Sequence, residues 1–294
     1  MYKRQSEDGE LRDPFKKLTT VFQMSEEMFF LHYGKDGCNR HVLIDECREL
    51  FGEIYEQIPE LPFCNIWTAM QLSSRLPKGA LFHMGVSNTR RCWNMFQLPE
   101  SVESACNVGC CGIDGCVSTL VGASLVNPDR LCYVVVGDLT FFYDLNSLGN
   151  HHIGTNLRVM LVNNGRGTEF RLGIHHCNVF GDDADKYMAA AGHFGNKSPL
   201  LVKHYAEDLG FHYLSATTKE EFMTALSNFT NPQLSDHSMI LEVFTDSKDE
   251  SEALYLMSHI QSDAKGMVRS KLKDAVRNVA GEKGINAIKK ILKK

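Results

Sequence analysis

Two short segments carry oxygen ligands at a spacing that suits one metal ion. In LCYVVVGDLTFF, residues 131–142, Gly137 and Asp138 follow an apolar run and Thr140 opens a helical pattern. In LRVMLVNNGRGTEF, residues 157–170, Asn163 and Asn164 end a second apolar run, and Gly165 and Gly167 keep the next turn open. The interval from Asp138 to Asn164 is 26 residues. If one crossover helix joins two neighbouring parallel strands, that interval sets a carboxylate beside an amide oxygen at the sheet's carboxyl edge. Both are hard ligands. Magnesium takes about six oxygens and retains several waters or phosphate oxygens, so Asp138, Asn164 and one backbone carbonyl form a half-shell that a diphosphate completes. The plain alternative is an N-cap at Asp138 and a polar turn at Asn163 and Asn164.

The elements that must hold these residues are legible in the hydrophobic pattern. Short apolar runs at 80–84, 131–136, 157–162 and 239–244 read as buried strands. Helical segments alternate with them at 115–126, 141–148, 183–192, 198–209 and 219–229. The fold class is therefore α/β, a parallel sheet with helices on both faces. Upstream, Val42, Leu43, Cys47, Leu50, Phe51 and Ile54 recur at helical spacing from Arg40, and a second helix spans 66–76.

Composition narrows the classes. At 294 residues and 43% apolar, the chain has ample material for a core. Its net charge of −5 gives no nucleic-acid footprint over the first two-thirds. No apolar run approaches the ~20 residues of a membrane span, and no secretory signal opens the chain, so a cytoplasmic setting without membrane or nucleic-acid partners is expected. Ten scattered cysteines then read as reduced thiols without disulfides. The first five residues, MYKRQ, resemble an adapter-derived, non-native scar and are left out of the reading of the fold. Residues 6–33 read as the remnant of a preceding domain, 40–264 as the main domain, and 265–294, with ten Lys/Arg against two acids, as basic amphipathic helices packed on their own protein.

The Gly-Asp and Asn-Asn pair resembles the magnesium motif of the thiamine-diphosphate-dependent enzyme superfamily, in its diphosphate-binding domain. A third segment sharpens the likeness. CNVGCCGIDGCVSTLVGAS at 106–124, followed by GDLTFFYDLNSL at 137–148, is similar to the menaquinone-pathway branch of synthases that make 2-succinyl-5-enolpyruvyl-6-hydroxy-3-cyclohexene-1-carboxylate. GVSNTRR at 85–91 looks like that branch's substrate turn, SEDGELRDPFKKLTTVFQM at 6–24 resembles the last strand of its central domain, and LEVFTDSKDESEAL at 241–254 its closing strand and helix. The likeness is good over 80–246.

The resemblance implies roles residue by residue. Asp138, Asn164 and the backbone carbonyl of Arg166 would bind Mg2+, while Gly112, Gly137, Leu139 and Thr140 would meet thiamine diphosphate. Ile113 would be the apolar wedge that bends the cofactor, and Phe170 would wall its substrate side. Ser87 and Arg91 would hold an acidic substrate, Arg91 through a bidentate carboxylate pair. The activity implied is decarboxylation of a 2-oxo acid with carboligation. The activating Glu belongs to a separate pyrimidine-binding domain that is not recognisable ahead of Arg40, so the chain is expected to be a fragment or split subunit. It would be inactive alone, and a homodimer or homotetramer when complete.

The sequence also departs from that branch. Val108 stands where the branch has Arg, removing a carboxylate-holding cation, so an acceptor with fewer carboxylates than isochorismate is expected. Glu169 stands at an apolar position, either to transfer protons or to pair with Arg166 or Arg171. His175 and His176 are weaker acid–base candidates, and with His151 and His152 they read as loop pairs pointing apart. Cys106, Cys110, Cys111 and Cys116 fit no standard metal spacing and read as packing thiols. Asp182 or Asp183 reads as a helix cap. The competing class is a nucleotide-binding α/β module without thiamine, or a non-catalytic subunit, against which the absence of a clean GxGxxG after a strand weighs.

Overall fold

The computed structural model describes residues 2–34, 42–109, 111–172, 175–187 and 198–260. The basic segment 265–294, Cys110 and the helix expected beyond residue 187 lie outside the described residues. The chain divides into two compact units between Glu56 and Gln57.

In the first unit, β1 (Tyr2–Ser6) pairs in parallel with β2 (Leu18–Gln23). The extended backbone of residues 2–5, within the segment read as a scar, thus finds a partner strand. The Asp13 carboxylate accepts from the backbone N–H of Lys17 and Leu18, both at 2.9 Å, which turns the chain into β2. Helix α1 (Glu26–Tyr33) starts at Ser25, whose hydroxyl accepts from Met28 N. Phe29 and Tyr33, one turn apart on α1, both meet the Phe22 ring. Helix α2 (Val42–Glu56) follows the expected periodicity and closes this unit.

The second unit is built on a six-stranded, all-parallel sheet. Its strands are β3 (Leu81–Met84), β4 (Glu103–Cys106), β5 (Cys132–Gly137), β6 (Leu157–Asn163), β7 (His212–Ala216) and β8 (Met239–Phe244), in the order β4-β3-β5-β6-β8-β7. The four central strands are those read from the sequence, and β4 and β7 were not foreseen. Their patterns explain why: Glu103, Ser104 and Ala105 are exposed, and β7 buries only Ala216 fully. An edge strand needs no continuous apolar run.

Alternation in the central strands divides the core into two layers. Tyr133, Val135, Met160 and Val162 face one side with Trp67, Trp93, Phe222 and Phe229. Val134, Val136, Val159 and Leu161 face the other with Val117, Leu120 and Phe141. Helices α3 (Asn65–Leu72), α4 (Asn88–Trp93), α9 (Lys219–Phe229) and α10 (Ser247–Met257) supply the first layer, and α5 (Cys116–Val126), α6 (Asp138–Asp144) and α8 (Leu201–Asp208) the second. The remaining helix, α7 (Ala184–Tyr187), begins just after Asp183. Asp144, in the DLN run, accepts from Ser118 N at 2.7 Å, tying α6 to the first turn of α5. Asn156 donates to the carbonyls of Ser124, Asn127 and Arg130, closing the turn between α5 and β5.

The described cysteines are free thiols, with Cys64, Cys92, Cys116 and Cys132 buried. Burial pushes the Cys64 thiol up to about 12 and Cys132 to about 11, which keeps both protonated and suits packing. No described helix is long and apolar enough to cross a membrane.

Candidate functional site

Strand order decides where a site forms. The chain runs outward from β3 to β4, then returns to the other side of β3 as β5 and proceeds to β6. Beyond the carboxyl ends of β3, β5 and β6 lies the crevice such a reversal creates. Asp138 leaves β5 immediately after Gly137, and Asn164 leaves β6 immediately after Asn163, where Gly137 pairs with Val162. The crossover geometry expected from the 26-residue interval is therefore present.

A cavity of about 330 Å³ opens there. It is lined from β3's exit by Val86, Ser87, Asn88 and Thr89, and from β5's exit by Gly137, Asp138, Leu139 and Thr140. The exit of β6 contributes Asn164, Arg166, Gly167, Thr168, Glu169 and Phe170, while Ile113, Asn65 and His175 complete the wall. Most residues singled out in the sequence meet here. Arg91, Gly112, His176 and Val108 are not among the lining residues. Val108 is 44% exposed on the loop after β4, so the position expected to have lost a carboxylate-holding cation does not face this cavity.

Asp138 is buried, and its Oδ1 accepts from Leu139 N at 2.8 Å. Asn164 presents an Oδ1 that is shielded from solvent and accepts no hydrogen bond. Such an atom carries a desolvation cost that a cation or donor would relieve. Thr168 Oγ1 is in the same condition. The Arg166 carbonyl accepts from Thr168 N at 2.9 Å and keeps a second lone pair. A carboxylate, an amide oxygen and a backbone carbonyl fit a hard divalent cation; Gly137 leaves open space beside Asp138, where an added Cβ would meet nothing within 4 Å.

The neighbouring Asn163 is fixed. Its amide donates to Glu242 Oε1 at 2.7 Å, its Oδ1 accepts from Gly165 N at 3.2 Å, and Tyr213 OH donates to Glu242 Oε2 at 2.7 Å. Burial raises the Glu242 carboxyl above its ordinary range, against the lowering effect of these bonds. The sequence placed Asn163 beside a ligand but gave no sign of its partners, which come from β7 and β8.

Glu169 departs from expectation. Its carboxylate is held by Arg91, with Nη1 at 2.7 Å and Nη2 at 2.9 Å, a partner not weighed from the sequence, while the Arg171 side chain lies outside the described residues. Helix α4 after β3 and the turn after β6 meet beside the cavity, so the pairing is set by strand order and not by proximity in sequence. The carboxylate holds Arg91 further into its charged range against the opposing effect of burial. His175 packs its ring edge-on to Phe170 at 5.4 Å, and its Nδ1 accepts from Cys177 N at 3.1 Å, leaving Nε2 to carry the proton of a neutral ring. The rings of His151 and His152 lie 3.8 Å apart instead of diverging.

Two cavity residues escaped sequence reading. Ser87 was named, but not its backbone, which stands at φ 63° and ψ −123°, a strained conformation for a side chain-bearing residue at the mouth of the site. Asn65 was missed because a polar residue at a helix start reads as a cap; here its Oδ1 accepts from Trp93 Nε1 at 3.1 Å.

No family model matches the chain. It is 32% identical over 255 residues to the 2-succinyl-5-enolpyruvyl-6-hydroxy-3-cyclohexene-1-carboxylate synthase of Bacteroides fragilis, covering 85% of this chain and 43% of that protein. The synthase so named in Phocaeicola vulgatus is 31% identical over 255 residues, 84% of this chain and 42% of that one. In Christiangramia forsetii the figures are 33% over 199 residues, 68% and 33%. The chain thus spans less than half the length of these curated relatives. Taken with the parallel α/β sheet and the Asp138–Asn164 pair at its switch point, the chain is similar over most of its length to the 2-succinyl-5-enolpyruvyl-6-hydroxy-3-cyclohexene-1-carboxylate synthases, the branch of the thiamine-diphosphate-dependent superfamily that its motifs resemble.

Proposed function

We propose that this chain is the diphosphate- and magnesium-binding part of a thiamine-diphosphate-dependent enzyme that decarboxylates a 2-oxo acid and joins the remaining acyl unit to an acceptor. The observation that carries the reading is the pairing of buried Asp138 with the unpartnered Asn164 Oδ1 beyond adjacent strands, over one cavity. Asp138, Asn164 and the Arg166 carbonyl would hold Mg2+. Gly137, Leu139 and Thr140 would border the diphosphate, with Ile113 against the cofactor's middle and Phe170 on the substrate side.

When bound, thiamine diphosphate supplies an acidic thiazolium carbon able to add to a 2-oxo acid carbonyl. The chain's residues bind and orient it. Among the described lining residues the carboxylates are Asp138 and Glu169, one assigned to metal and one held by Arg91. A third carboxylate, supplied by another domain or subunit, is needed to activate the cofactor.

Isothermal titration of thiamine diphosphate in the presence of Mg2+ tests the reading. The unsubstituted chain should bind only when the metal is present, and Asp138→Ala should abolish binding because it removes the only formal negative charge among the three ligands. Metal-independent binding, or unchanged affinity in Asp138→Ala, overturns the assignment.

A further inference from the structure

We propose that Glu169 acts as an internal carboxylate occupying the anion site of Arg91, so that the cavity accepts an uncharged substrate group where Arg91 would otherwise hold a carboxylate. This rests on the functional reading above for what the cavity binds, but its geometry is independent of the metal.

The guanidinium presents its Nη1 and Nη2 edge to both Glu169 oxygens at 2.7 and 2.9 Å, the bidentate arrangement with which arginine takes a carboxylate ligand. Nη1 also lies 3.5 Å from Asn88 Oδ1. The two partners are 78 residues apart, and Glu169 and Asn88, which both meet the Arg91 guanidinium, line the cavity, so the fork stands directly behind its wall. Their side chains are 33% and 20% exposed, which shields the pair from the screening that makes surface ion pairs weak.

An incoming carboxylate faces two penalties here. It must displace Glu169 from the fork, and it leaves that acid half-buried beside a second negative charge. A hydroxyl, carbonyl or amide pays neither. Glu169 itself is fixed in a short turn, Thr168–Arg171, with Phe170 N donating to Gly167 O and Leu172 N to Glu169 O. Glu169 is therefore a specificity-determining residue that selects against anions at this end of the cavity.

The probe is succinate, titrated calorimetrically into the full chain without cofactor, with succinamide as its neutral counterpart. Glu169→Gln keeps the shape and removes the charge, and Glu169→Ile removes the acid altogether. Both should bind succinate at least roughly tenfold more tightly than the unsubstituted chain, the scale of one charge-assisted hydrogen bond. The double substitution Glu169→Gln with Arg91→Met should lose that gain, and succinamide should show no comparable gain in either single variant. Equal succinate affinity in the chain and both single variants overturns the proposal, as does a gain that survives loss of Arg91, which would assign it to Arg166. Thiamine diphosphate with Mg2+ is titrated separately: its failure to bind defeats the functional reading, whereas only the succinate series decides the role of Glu169.

Discussion

Asn163 and Asn164 are identical in type, adjacent in sequence and opposite in role. Asn163 is buried and tied on both sides, to Glu242 and to Gly165 N, whereas Asn164 keeps an Oδ1 without a partner. Strand alternation accounts for the split, because successive side chains leave β6 on opposite faces. The two substitutions should therefore separate. Asn163→Ala strips a buried donor from Glu242 and should cost about 1–3 kcal/mol in urea denaturation. Asn164→Ala removes an atom already unpaired, so stability should change little while Mg2+-dependent binding of thiamine diphosphate weakens sharply. Equal stability losses in the two variants would mean that Asn164 is a structural residue like its neighbour.

At the scale of elements, α10 supports the site from beneath through one buried acid. Glu250 Oε1 accepts from Asn65 N, at the start of α3, at 3.0 Å, and from Thr245 Oγ1 at 2.8 Å. Asn65 in turn lines the cavity, so the carboxyl sets where α3 begins relative to the sheet edge. Burial pushes Glu250 up to about 7 from an ordinary 4.5. A carboxyl raised in the native state binds more protons there than when unfolded, so stability falls as pH climbs from about 4.5 to about 7 and levels above. The loss at neutral pH is on the order of 3 kcal/mol. Glu250→Gln should flatten that slope, read as the change in urea midpoint between pH 5 and pH 8. A variant whose midpoint falls as steeply as the parent's would place the titration elsewhere.

For the whole molecule, one sheet order gathers the exits of β3, β5 and β6 into a single crevice lined by Asp138, Asn164, Glu169 and Phe170, with Arg91 behind Glu169. Because the described acids of that crevice are already engaged, the chain with Mg2+ and thiamine diphosphate should bind cofactor yet show no consumption of 2-oxoglutarate. Carbon dioxide release measured with the purified chain checks this. Sustained turnover would show that an activating acid is present within the 294 residues.

The sequence by itself determined the α/β class, the four central strands and the juxtaposition of Asp138 with Asn164, because buried parallel strands write continuous apolar runs and their exits stand out as Gly-Asp and Asn-Asn. It also flagged Glu169 as a charge out of place. It did not reveal β4 or β7, whose half-exposed edges carry no such run. Nor did it mark the division after α2, whose apolar residues Leu43, Leu50 and Phe51 are exposed. Only the tertiary structure decided that Glu169 meets Arg91, that Val108 lies off the cavity wall, and that Glu242 and Tyr213 hold the end of β6. Those pairings join residues from separate strands and loops, and strand order, which local patterning does not encode, sets which of them meet.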